Sequence, residues 1–141
     1  MRGEHLIRHW TGTQATQALS SAEAELVSLV RGASEGIGAQ SLLNDFGVSA
    51  NIVMATDASA AIGICKRSGV GEIRHLDTRL LWIQDKVRGG DIEERKVPGC
   101  ENPADLLTKH LGAEAVSKDM SAMQCWPRAG RASTAPRLTV Q

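Results

Sequence analysis

Glu25, Asp57 and Asp105 are carboxylates at three different kinds of structural boundary. The patterning puts Glu25 in the early turns of a capped helix. Asp57 closes an apolar strand, and Asp105 falls in the first turn of a later helix. Oxygen donors brought from separate elements to one place are what a pair of divalent ions about 4 Å apart requires, as in metal-dependent nucleases. A fourth acid from the first strand of the fold would normally complete such a set. No Asp precedes Asp45, and the only acid before Glu23 is Glu4. The chain is therefore expected to lack that fourth ligand.

Each acid also has a plainer reading. Glu25 borders an apolar helical stripe beside Leu29, and exposed Glu is the rule on helices. An Asp directly after a strand often caps the next helix, as Asp57 would cap one starting near Ser59. An acid in a first helical turn, such as Asp105, favours the macrodipole. What supports the chemical reading is their joint placement, all three potentially near one end of a sheet.

Other constellations are weaker. Gly36-x-Gly38 and Gly69-x-Gly71 lack the third glycine of a dinucleotide loop. His5, His9, His75 and His110 have no spacing with Cys that suggests zinc. Cys100 follows a Pro-Gly turn, but a plain thiol is the better reading. The basic residues Lys66, Arg67, Arg74, His75, Arg79, Lys86 and Arg88 gather around two central helices. Together they could meet a phosphate backbone, while any one of them suits a solvated face. Trp82 fits the core better than a base-stacking role.

The elements that must position these residues follow from periodicity. Residues 4–19 read as one or two short strands with a turn at Thr11-Gly12, a sheet edge without its partners. Ser20 and Glu23 form a capping box. The helix behind it has Ala22, Leu26, Leu29, Val30, Ala33 and Ile37 at spacings of three and four, one apolar stripe. It is expected to end between Asn44 and Gly47. Residues 51–57 form an apolar run suited to a strand covered on both faces. Helices are expected over 59–67 and 76–88, with a glycine-bearing loop at 68–74 between them. Gly89-Gly90 stops the second, and 92–97 is a polar strand of edge character.

Pro98-Gly99 makes a turn. Asn102-Pro103 then opens a fourth helix, with Asn102 as its cap. Periodicity fades from Gly112, and 127–141 reads as a disordered tail. The order strand, helix, strand, helix, helix, strand, helix implies an α/β fold with a parallel sheet and right-handed crossovers. Sites in such sheets lie at the carboxyl ends of strands, which is where Asp57 falls.

The totals set outer limits. A chain of 141 residues makes one domain the default. We expect it to span 1–112, followed by a poorly structured tail over 113–141. With one Phe, three Trp and no Tyr, the core must come from Ala, Leu, Ile and Val. Net charge is zero, which excludes the strongly basic class of nucleic-acid binder but leaves room for a local basic face. Three cysteines without a C-x-x-C pair suggest a reducing compartment. No signal-peptide pattern opens the sequence, and no apolar window approaches the length of a membrane span.

Four blocks go further: LSSAEAELVSL, IVMATDASAAIGI, RHLDTRLLWIQDKV and VPGCENPADLLTKHL. In this order and spacing they resemble the ribonuclease H domain of copia-type (Ty/copia) retrotransposon Pol polyproteins, over roughly residues 3–112. The resemblance implies a ribonuclease H-like fold, a mixed five-stranded sheet flanked by helices. It implies hydrolysis of RNA in RNA–DNA hybrids with Mg2+ or Mn2+, two ions in an intact site. It places the catalytic and metal-ligating acids at Glu25, Asp57 and Asp105. Arg74, His75, Arg79 and Lys109 become candidate nucleic-acid contacts, and Arg74, His75 and Asp77 form a block expected to position the third helix or the substrate.

The family's first acid, and the first strand that carries it, have no counterpart here. Cys100 stands near the point where the family has a flexible His. The resemblance therefore implies an N-terminally truncated domain, inactive or severely impaired by itself. Its implied partners are an RNA–DNA hybrid and the rest of a Pol polyprotein, including reverse transcriptase, without a membrane. Its implied location is intracellular, in cytoplasm or a virus-like particle. The competing expectation is a catalytically inactive remnant that only binds nucleic acid or a partner.

Overall fold

The computed structural model describes residues 6–14, 17–69, 71, 80–126 and 130. Its longest element is helix α1, Ser21–Asp45. The capping box forms: the Ser20 hydroxyl accepts from the Glu23 amide at 3.2 Å. The Glu23 carboxylate reaches back one residue further than a strict box, accepting from the Leu19 amide at 2.8 Å. Gly47 ends the helix at φ +72, a left-handed conformation that costs glycine nothing. The amide of Val48 then returns to the Leu43 carbonyl at 2.9 Å, closing the last turn.

Strand β1 (Ile52–Thr56), helix α2 (Ser59–Lys66), helix α3 (Trp82–Arg88) and strand β2 (Ile92–Lys96) follow. The strands are parallel, with Ile52 opposite Ile92 and Thr56 opposite Lys96. Side chains alternate across a strand, so Met54 and Thr56 face inward while Val53 and Ala55 are exposed. The inner face meets Leu26, Val30 and Ala33 of α1, Ile64 and Cys65 of α2, and Ile83 of α3. Trp82 packs at the margin of this core, as expected. Helix α1 comes so close to β1 that a methyl group on Gly36 would stand 3.3 Å from Ile52 Cγ2.

Gln84 of α3 is almost fully buried, and its amide is spent on backbone. Its nitrogen donates to the carbonyls of Ile64 and Gly69, and its oxygen accepts from the Gly69 amide. These bonds fasten the chain that leaves α2 to the helix that re-enters the core. Glu94 sits on the inner face opposite Met54. Neither of its oxygens has a hydrogen bond of ordinary geometry among the described residues. The Cys65 thiol faces it. Burial raises the Glu94 pKa more than that weak donor and the Lys66 charge lower it. Burial, reinforced by Glu94, pushes the thiol up to about 12.

Several expectations change. The described residues among 4–19 hold no strand. Residues 6–14 instead run back along α1, tied by Arg8 to Glu35 at 2.7 Å and by Gln14 to the Ala24 carbonyl at 2.8 Å. A strand needs an edge to pair with, and side-chain links to a helix supply none. The described sheet accordingly has two parallel strands, in place of the expected mixed five. The architecture is α/β at that coarser level. Asn102 caps its element as expected, but Pro103–Leu107 is a 3-10 turn and not an α-helix. A further helix, α4 at Ala113–Ala122, stands where structure was expected to fade. The helix expected over 76–88 is seen from Trp82, and residues 72–79 and 127–129 lie outside the described residues. Among the described residues no helix is long and apolar enough to cross a membrane.

Candidate carboxylate site

Asp57 follows the buried end of β1, so the strand delivers its carboxylate to the carboxyl end of the sheet. It does not cap the next helix. The N-cap of α2 is Ala58, which makes no side-chain capping bond. The Ala58 amide is taken instead by the Thr56 hydroxyl at 3.1 Å. The plainer reading of Asp57 thus fails, and its carboxylate turns towards residues more than forty positions away in sequence. Its Oδ1 accepts from Asn102 Nδ2 at 3.3 Å. Its Oδ2 lies so near Gly99 that a Cβ there would be 3.2 Å away. Glycine at 99 is what allows backbone to approach the acid this closely.

Asn102 has two duties. While its amide nitrogen holds Asp57, its oxygen accepts from the Ala104 amide at 3.3 Å and caps the turn that carries Asp105. Strand end and turn are thereby joined through one side chain. Asp105 is mostly covered, with its side chain 15% exposed, and its Oδ2 pairs with Lys109 Nζ at 2.8 Å. That hydrogen bond raises the Lys109 pKa above the ordinary lysine value. The negative charges of Asp105, Asp57 and Glu25 add to the effect. Glu25 itself is exposed on α1, and its charge joins the other two at this one ammonium.

The structure therefore joins the Asp57 and Asp105 elements through Asn102, and the cation that meets Asp105 is Lys109. Lys109 was expected as a nucleic-acid contact, yet its nearest anion is Asp105. The i, i+4 spacing of an acid and a lysine is the signal that points to this pair. Arg74, His75, Asp77 and Arg79 lie outside the described residues. Gly99 and the second duty of Asn102 escape a reading by local pattern, because each depends on a partner distant in sequence.

Carboxylate oxygens suit a hard divalent cation. The arrangement suits it less: among the described residues no group of three or more His, Cys, Asp or Glu could hold a metal ion. Beyond Asp105 a groove opens between the turns and α4, lined by Gly99, Cys100, Glu114 and Lys118 among others. Lys118 Nζ donates across it to the Cys100 carbonyl at 2.7 Å.

An α/β unit with acids at the carboxyl end of its sheet is the class the structure defines. Over 98 residues the chain is 33% identical to the retrovirus-related Pol polyprotein from transposon TNT 1-94 of Nicotiana tabacum. The match takes in 68% of this chain and 7% of that polyprotein. The likeness supports a segment related to a retrotransposon Pol polyprotein. No family model matches the chain, and no solved structure matches it.

Proposed function

We propose that the chain is part of a copia-type ribonuclease H domain, whose intact form hydrolyses the RNA strand of RNA–DNA hybrids. The observation that carries this reading is the release of Asp57 from helix capping. Its carboxylate is held beside the turn of Asp105 by Asn102, at the strand end where α/β folds place their sites. The similarity to a retrotransposon Pol polyprotein agrees with it. Mg2+ or Mn2+ is the cation whose chemistry matches these donors. Among the described residues the present spacing does not form a three-ligand set. Discrimination for RNA would rest on contacts to 2′-hydroxyls, and the remainder of a Pol polyprotein, with reverse transcriptase, would be the natural companion.

The test is a labelled RNA–DNA hybrid mixed with the purified chain in Mn2+ or Mg2+. We expect binding that weakens with salt, as phosphate contacts do. We also expect slow RNA-strand cleavage that Asp57→Asn and Asp105→Asn abolish. A chain that neither binds nor cuts the hybrid overturns the reading. A second reading is a non-catalytic hybrid-binding remnant, favoured by the ammonium placed among the acids. Binding that ignores a chelator, without any cleavage, selects it.

A further inference from the structure

Helix α4 buries an acid. Asp119 is 7% exposed, a depth that Asp rarely reaches without a partner. Among the described residues its carboxylate makes neither a hydrogen bond nor an ion pair. A carboxylate withdrawn from water without donors is costly. Asp119 lines the groove between α4 and the turns around Asp105, a space of about 670 Å3. The missing donors must enter by that groove. The lysines nearby are committed elsewhere: Lys118 Nζ donates to the Cys100 carbonyl at 2.7 Å, and Lys109 pairs with Asp105 at 2.8 Å. Glu114, one helical turn before Lys118, lines the same groove and has no ion pair among the described residues. Acids at 105, 114 and 119 thus outnumber the single lining lysine, so the groove favours a cation.

We propose that this groove binds a guanidinium group on an apolar stem, with the buried Asp119 carboxylate as its anchor. A metal ion does not suit it, because among the described residues no group of three or more ligating side chains gathers there. A guanidinium needs one carboxylate only. Its planar fork meets both oxygens with two parallel N–H donors. It is also more weakly hydrated than an ammonium, so it gives up less on entering a covered site. Leu111 and Ala115, which line the same groove, supply apolar wall for the methylene stem. Glu114 stands exposed at the rim and adds attraction for an approaching cation. The volume lies within the range of about 300–1,000 Å3 usual for ligand sites. An arginine side chain of a partner protein and a free guanidino compound share this chemistry. The site stands apart from the nuclease reading, since Asp57 takes no part and neither metal nor nucleic acid enters.

The experiment is a titration of the full chain with N-acetyl-arginine amide, followed by the backbone amide resonances of residues 113–122. We expect saturable shifts there. The citrulline analogue, equal in shape but uncharged, should give none, and the lysine analogue should bind more weakly. Asp119→Asn should weaken arginine binding about tenfold, the scale of one charge-assisted pair. It should not lower the urea midpoint, because no internal contact is lost. Asp85→Asn, which changes an acid of α3 outside the groove, should bind like the parent. A short alanine peptide with one central arginine separates the two sources: tighter binding than the capped amino acid assigns the site to a partner's side chain, and equal binding to a free guanidino compound. Absence of saturable shifts overturns the proposal. So does an Asp119→Asn chain that binds arginine as the parent does, or one whose midpoint falls, which would give Asp119 an internal structural role.

Discussion

Every helix and strand between Ser21 and Lys96 sends at least one side chain into a shared apolar core. Between Gly99 and Ala122 no described side chain joins it, and the one buried residue of α4 is Asp119. Asp57 belongs to the first region and Asp105 to the second. The first acid is therefore placed by packing, which is stiff. The second is placed by polar links: the Asn102 cap, the contact of Asn102 with Asp57, and the Lys109 pair. A site assembled across two such regions has one rigid wall and one adjustable wall.

The strongest attempt to break this contrast is Leu26→Ala, which deletes a fully buried side chain of α1. It should cost about 2–5 kcal/mol of unfolding free energy, measured by urea denaturation. Val116→Ala, in half-buried α4, should cost well under ~1 kcal/mol on the same scale. Equal losses would show that the second region shares a core with the first.

Asn102→Ala sharpens the comparison from the other side. It removes a cap worth about 1 kcal/mol and frees Asp57 from its amide partner. We expect faster amide hydrogen exchange over residues 99–109 with little change in the urea midpoint of the whole chain. A drop in that midpoint as large as that of Leu26→Ala would place Asn102 in the rigid region.

The smallest effect concerns pH within the packed region. Because burial raises the Glu94 pKa, the folded state holds its proton more firmly than the unfolded chain does. The stability this contributes is complete below the ordinary Glu value near 4.5 and is lost as pH rises through the raised value. Glu94→Gln cannot ionise. Its stability should stay flatter than the parent's as pH climbs from 4.5 towards neutrality, in thermal melts at closely spaced pH. Parallel pH profiles for the two chains would mean that Glu94 does not drive this dependence.

The sequence was legible where local chemistry decides the outcome. Ser20 and Glu23 announce α1, and the Leu26–Val30–Ala33 stripe announces what it buries. Asn102 announces its cap. It was misleading where structure depends on a partner. Residues 4–19 read as one or two short strands, but pairing requires an edge, and over 6–14 α1 offers side-chain contacts instead. Helix α4 escaped notice because its half-buried apolar residues are few, chiefly Ala115, Val116 and Met120. The site was half visible. The acid types and their order could be read directly, whereas the Asp57–Asn102 link spans 45 positions and leaves no local signature.

The bare start of α2 also bears on how this chain would respond to stabilisation. Ala58 occupies the one position where Ser or Asp would supply the missing cap, a change worth about 0.5–2 kcal/mol. The same change would set a second oxygen acceptor directly beside Asp57, within reach of the Asn102 amide that Asp57 now holds. Selection for heat resistance at residue 58 would therefore crowd the contact between Asp57 and Asn102 that joins the strand end to the following turns.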